Sequence, residues 1–106
     1  MTRGITRNIS SKTELPGSNY VTMLGISEIA GGALTETHTH PGIESAYVLE
    51  GECDLVVDGQ ADRKLKPSDS YQIPPGVPHS LRNGSKTAKI AVTFVVEKDK
   101  PLASPA

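Results

Sequence analysis

The stretch Gly32-Ala33-Leu34-Thr35-Glu36-Thr37-His38-Thr39-His40-Pro41-Gly42-Ile43-Glu44-Ser45-Ala46-Tyr47-Val48-Leu49-Glu50-Gly51 decides how this chain is read. One residue separates His38 from His40, and on an extended strand that spacing places both imidazoles on the same face. Glu44 keeps the same parity. A compact turn at Pro41-Gly42 returns its carboxylate to the face that carries the two rings. Two imidazoles and a carboxylate drawn from one short segment form a donor set suited to a single divalent ion.

Alternation carried back from His38 sets Leu34 and Glu36 on the ligand face, with Thr35, Thr37 and Thr39 opposite. Glu36 is then either a base or substrate contact near the ion, or a side chain that reaches water at the mouth of the fold. A further donor comes from the later run Pro74-Pro75-Gly76-Val77-Pro78-His79-Ser80-Leu81-Arg82-Asn83, in which three prolines stiffen the backbone ahead of His79. The chain has three histidines, and all of them fall in these two stretches.

Together the two stretches resemble the cupin family. Gly32, His38, His40, Glu44 and Gly51 meet every position of the first cupin motif. Pro74, Gly76, His79 and Asn83 meet the second, in which Ser68 stands where the family has a glycine. That departure concerns a turn and not a ligand. The resemblance implies a small double-stranded β-helix, or jelly-roll, barrel with the ion inside one mouth. It also implies a homodimer, which suits a core with one phenylalanine, three tyrosines and no tryptophan.

The rest of the chain agrees with an all-β single domain. Tyr20 to Ile29 is rich in strand formers, and the Gly31-Gly32 pair is expected to end that strand. Ser45–Glu50, Cys53–Val57, Gln60–Leu65, Ser70–Ile73 and Lys89–Val96 read as further strands. Asp58-Gly59 and Asn83-Gly84 are hairpin signals, the first of the type I′ class with positive φ at both residues. No amphipathic helix competes. We expect an N-terminal arm or edge strand over 1–19, a barrel over 20–97 and a polar tail over 98–106.

Composition narrows the partners. With 12 acidic and 11 basic residues and a net charge of -1, the chain offers no basic face for nucleic acid. No apolar run approaches the length of a membrane span, and no export signal opens the chain, so a cytoplasmic protein is expected. The single cysteine, Cys53, excludes an internal disulfide and reads as a small apolar filler in a strand.

These readings lead to a metal-dependent enzyme with His38, His40, Glu44 and His79 as ligands of one divalent transition metal. Fe, Mn, Ni, Co, Cu and Zn all suit mixed nitrogen and oxygen donors. The substrate is expected to be a compact, oxygen-bearing molecule such as an enol, a 2-oxo acid, a catechol or a uronate. A dioxygenase using a redox metal is the leading expectation, with isomerase, lyase or cyclase chemistry by Lewis-acid catalysis at a redox-inert metal as the alternative. A non-catalytic module that binds a carboxylate or sugar is the competing class. Glu36 and Tyr71 are the candidate bases. Leu34, Ala46, Val48, Ile73, Leu81 and Phe94 are the expected apolar wall around the substrate.

Overall fold

The computed structural model describes residues 3–84 and 86–106, and every regular element among them is a β-strand. Ten strands follow one another: β1 (Arg3–Glu14), β2 (Tyr20–Leu34), β3 (His38–Thr39), β4 (Gly42–Glu50), β5 (Cys53–Val57), β6 (Arg63–Leu65), β7 (Ser70–Ile73), β8 (His79–Arg82), β9 (Ala88–Glu97) and β10 (Ser104–Pro105). All pairings are antiparallel. The main path runs β10-β3-β8-β2-β9-β4-β7, with β1 added beside β2 and the β5-β6 hairpin added beside β8. The result is a nearly closed barrel, the double-stranded β-helix expected from the sequence. No helix among the described residues is long and apolar enough to cross a membrane.

Period-two burial builds the interior. On β4 it is Gly42, Glu44, Ala46 and Val48 that are buried, and on β9 it is Ala88, Ile90, Val92, Phe94 and Val96. Phe94, Ile29, Leu65, Ile90 and Val48 are fully buried. Side chains of this size contribute roughly 1.5–3 kcal/mol each when taken out of water. Among the buried polar residues, His40, Glu44 and His79 lie in contact with one another.

Several local expectations are corrected. Gly31-Gly32 does not end the strand: β2 continues to Leu34, with Gly32 at φ +77°. The buried positions near the end of β2 are Ala33 and Thr35, which leaves Leu34 40% exposed on the outer face. Thr35 is clamped to β8, where its Oγ1 accepts from the Leu81 N–H at 2.7 Å and its own N–H donates to the Leu81 carbonyl at 3.1 Å. Residues 35–37 lie outside any strand, so the alternation restarts at His38 with the opposite parity.

Asp58-Gly59 does not form a type I′ turn. Only Gly59 has a positive φ, and the Gln60 N–H donates to the Val57 carbonyl at 3.0 Å, a pattern that fits a type II turn. The returning strand shortens to Arg63–Leu65. Asn83-Gly84 closes no hairpin either, because β8 pairs with β2, β3 and β5 and not with β9. Instead the buried Asn83 amide donates to the Ile29 carbonyl at 2.8 Å and also to the carbonyls of Ala30 and Lys86. Asn83 thus ties this connection down to β2.

Candidate metal centre

The three histidines reach one point from two strands and one loop junction. β3 pairs with β8 so that His38 lies opposite His79, and His40 follows just beyond the end of β3. Ring centroids are 4.4 Å apart for His38 and His79, and 4.9 Å apart both for His38 and His40 and for His40 and His79. One donor atom from each ring lies within 4.8 Å of the other two. His40 and His79 are buried, and His38 is half-buried at the opening.

Each ring is aimed by the backbone. The Nδ1–H groups are placed to donate to carbonyls: His38 to Glu36 at 2.6 Å, His40 to Leu102 at 2.7 Å and His79 to Val77 at 2.9 Å. A ring fixed in this way presents Nε2 as its free donor, which is how ligating histidines are usually oriented. The Leu102 carbonyl comes from the tail, which the sequence shows only as polar and turn-forming. Residues 102–106 therefore fold back over the mouth, where β10 pairs with β3.

Glu44 completes the group from β4. Its Oε1 lies 2.9 Å from His40 Nε2 and 3.1 Å from His79 Nε2, and its Oε2 accepts a 2.7 Å hydrogen bond from Tyr71. Burial opposes the charged form, but the contacts with His40, His79 and Tyr71 outweigh it and hold this carboxyl well below the usual carboxylate range. His38 is lowered from its ordinary value, chiefly by desolvation and against the pull of the Glu36 carbonyl.

The donor set fits a metal ion. His40 Nε2 is buried and has no partner in hydrogen-bond geometry, even though the Glu44 oxygen is close by. A buried lone pair held beside a carboxylate is costly unless a positive charge lies between them. A proton on a ring answers this for that ring alone. A cation answers it for the three imidazoles at once, with the Glu44 carboxylate beside two of them.

The other residues singled out in the sequence fall in different places. Tyr71 is 6% exposed and stands behind Glu44, and its phenol is pushed well above its ordinary value by burial and by the Glu44 charge. It is placed as a hydrogen-bond donor to Glu44. Glu36 lies at the outer rim, with its backbone carbonyl serving His38 and its side chain exposed. Of the six expected wall residues, only Leu81 lines the small cavity beside the cluster, which has a volume of about 20 Å³. Ala46, Val48 and Ile73 are packed in the core, Phe94 lies against the His40 ring at a centroid distance of 4.9 Å, and Leu34 points outward.

Residues missed in the sequence take their place. Ile5 and Arg7 of β1 and Ile90 and Val92 of β9 line the same cavity. The signal was present in Ile5-Thr6-Arg7-Asn8-Ile9, whose apolar residues alternate around Arg7 as in a half-buried strand.

Comparison with known proteins agrees with this geometry. The sequence model of the cupin domain matches residues 25–96. This chain belongs to the cupin family. Phomopsin biosynthesis cluster proteins C' and D of Diaporthe leptostromiformis are each 35% identical to this cupin over 88 residues, or 83% of the chain and 44% of each relative. The chain thus spans less than half the length of these curated relatives. Among solved structures, the polyketide cyclase RemF of Streptomyces resistomycificus superposes with a TM-score of 0.79 at 25% identity, covering 99% of this chain and 72% of RemF. The dimethylsulfoniopropionate (DMSP) lyase DddQ of Ruegeria pomeroyi superposes at 0.75 with 22% identity, covering 84% of this chain and 44% of DddQ, a likeness of fold.

Proposed function

We propose that this cupin is a metal-dependent enzyme that acts on a compact, oxygen-bearing organic substrate by non-oxidative, Lewis-acid chemistry of the lyase, isomerase or cyclase kind. The observation that carries the reading is the convergence of three carbonyl-oriented imidazoles, two of them in contact with the buried Glu44 carboxylate. His38, His40, Glu44 and His79 would hold the ion. When bound, a divalent ion supplies polarisation of a substrate oxygen. The chain's own residues keep the donors aimed, keep Glu44 charged through the Tyr71 phenol, and exclude water with Phe94, Ile90 and Val92. RemF, a cyclase, and DddQ, a lyase, support this class, while oxalate oxidase, which shares the fold at a TM-score of 0.67 and 23% identity, keeps an oxidative reaction in view.

A dioxygenase is the second reading, favoured by the donor chemistry, since three nitrogens and one carboxylate also suit a redox-active iron. Metal analysis of protein purified without added metal, followed by turnover tests on enols, 2-oxo acids, catechols and uronates with and without oxygen, separates the two. We expect a stoichiometric transition metal and turnover that persists without oxygen. Turnover only with oxygen would establish the dioxygenase, and metal-free protein would sink both readings.

We also propose a homodimer. Leu24, Ile26, Ile43, Tyr47 and Leu49 are 37–48% exposed on the outer face of β2 and β4. β9 lies between these strands, with Ile26, Ala91 and Tyr47 in register across all three. A sheet face that exposes this many large apolar side chains suits a second copy of the same chain.

A further inference from the structure

Arg7 has no role in the centre described so far, yet it lies on the wall of that centre. β1 pairs with β2 so that Arg7 is opposite Ser27, a buried residue, and Arg7 therefore shares the inner side of the sheet with Ile5 and Ile9. It lines the small cavity together with His38, Glu44, Tyr71 and His79. It also lines the outer cavity of about 260 Å³ that opens past His38. Its guanidinium carbon lies 5.1 Å from the centre of the Phe94 ring, the same ring that packs on His40.

Arg7 is exposed to solvent, and its guanidinium lies over the Phe94 ring in a cation–π contact that leaves its N–H donors unspent. No hydrogen bond or ion pair joins the Arg7 side chain to any other residue among those described. Glu44, the carboxylate that shares the small cavity, is already committed to His40, His79 and Tyr71. A fixed cation with free donors, beside a donor cluster suited to a metal, is a receptor for an anion.

We infer that Arg7 anchors the carboxylate of a small anionic substrate whose remaining oxygen is offered to the ion at His38, His40, Glu44 and His79. The inference rests on the metal reading of that cluster and narrows the substrate class from oxygen-bearing molecules to small carboxylates of the 2-oxo acid kind. The size of the outer cavity suits such a molecule, being below the range typical of drug-sized ligands. Arg7 acts here as a binding and specificity residue and transfers no proton.

The test loads wild type, Arg7→Gln and Arg7→Lys with Co(II) and follows the visible cobalt bands during titration with pyruvate and, separately, with imidazole. All three proteins should take up Co(II) and bind imidazole alike. Pyruvate should bind Arg7→Gln about tenfold or more weakly than wild type, with Arg7→Lys between them, as expected for loss of a charge-assisted bidentate contact. Equal pyruvate affinity in wild type and Arg7→Gln, or no pyruvate binding to Co(II)-loaded wild type, would overturn the role of Arg7 and leave the metal centre standing. Failure of the wild type to take up Co(II) would overturn the metal centre and this inference together.

Discussion

Tyr71 and Glu44 form a buried pair in which the phenol donates a 2.7 Å hydrogen bond to Oε2, leaving Oε1 to face His40 and His79. The β4-β7 ladder places Glu44 opposite Ile73 and Ala46 opposite Tyr71, so the phenol reaches along the sheet to the carboxylate. The bond fixes the rotation of the carboxylate and helps keep it charged in an apolar surrounding. Removing the hydroxyl in Tyr71→Phe leaves a buried carboxylate oxygen without its donor. We expect a stability loss of about 1.5–3 kcal/mol in the metal-free protein and a drop of about tenfold or more in metal affinity. Chemical denaturation and competitive metal titration measure the two effects. Unchanged metal affinity would show that Tyr71 does not act on the centre.

His79→Ala tests the centre more directly. The ring is 2% exposed and pairs on one side with the Val77 carbonyl and on the other with Glu44. Truncation opens a cavity and strips Glu44 of a partner, for an expected cost of about 2–4 kcal/mol. Metal content and melting temperature should fall together. A variant that loses stability but purifies with full metal occupancy would remove His79 from the ligand set.

That His38, His40, Glu44 and His79 come together was legible in the sequence because the family spacing survives any local change of parity, whereas the lining of the cavity was not. The expectation for Leu34 and Glu36 extended a strand alternation through residues 35–37, where the chain leaves the sheet to let Thr35 clamp onto Leu81. Thr35 is buried in consequence and Leu34 faces out. The carbonyls of Glu36, Val77 and Leu102 that aim the rings leave no trace in residue type, since any residue can offer one. Arg7 was missed for a different reason: its strand lies in a polar stretch, and only the isoleucines on either side mark its inner face.

Ser68 stands where the family motif carries glycine, and it is the one non-glycine residue with positive φ among those described, at +72°. The turn Lys66-Pro67-Ser68-Asp69 explains the demand. The Asp69 N–H donates to the Lys66 carbonyl at 2.9 Å, with proline at the second position and left-handed backbone at the third, as in a type II turn. A serine held there costs roughly 1–2 kcal/mol, part of which glycine gives back through its greater freedom when unfolded. Ser68→Gly should therefore raise stability by about 0.5–1 kcal/mol, seen as a melting temperature higher by a few degrees. A lower melting temperature would mean that the Ser68 side chain contributes something the backbone geometry does not show.

Cys53 is 3% exposed, and its thiol is pushed up to about 11, first by burial and then by the neighbouring Asp54 charge. The folded state thus holds its proton over a range where the unfolded chain, with a thiol near about 8.5, has lost it. The stabilisation is complete below about 8.5 and fades as pH rises through 11, because the unfolded form releases its proton first. At pH 8 native protein should react with a thiol reagent far more slowly than denatured protein. Comparable rates for the two forms would show that the thiol is open to solvent.

The outer face of β2, β9 and β4 supports the last prediction, on assembly. Leu24 and Tyr47, each 48% exposed, belong to a face on which Ile26, Ala91 and Tyr47 lie in register. Lys89 closes one end of that face, 3.7 Å from Glu28 and 4.0 Å from Glu50, so an apolar centre meets a charged rim as in a protein interface. A twofold pairing of two such faces buries the same side chains on both copies. Replacing Ile26 and Tyr47 together by glutamate sets four like charges into that contact while leaving the interior untouched. Sedimentation velocity should show a dimer for the wild type and a monomer for Ile26→Glu/Tyr47→Glu, with equal metal content in both. A wild type that sediments as a monomer at tens of micromolar would rule out the pairing as a stable dimer.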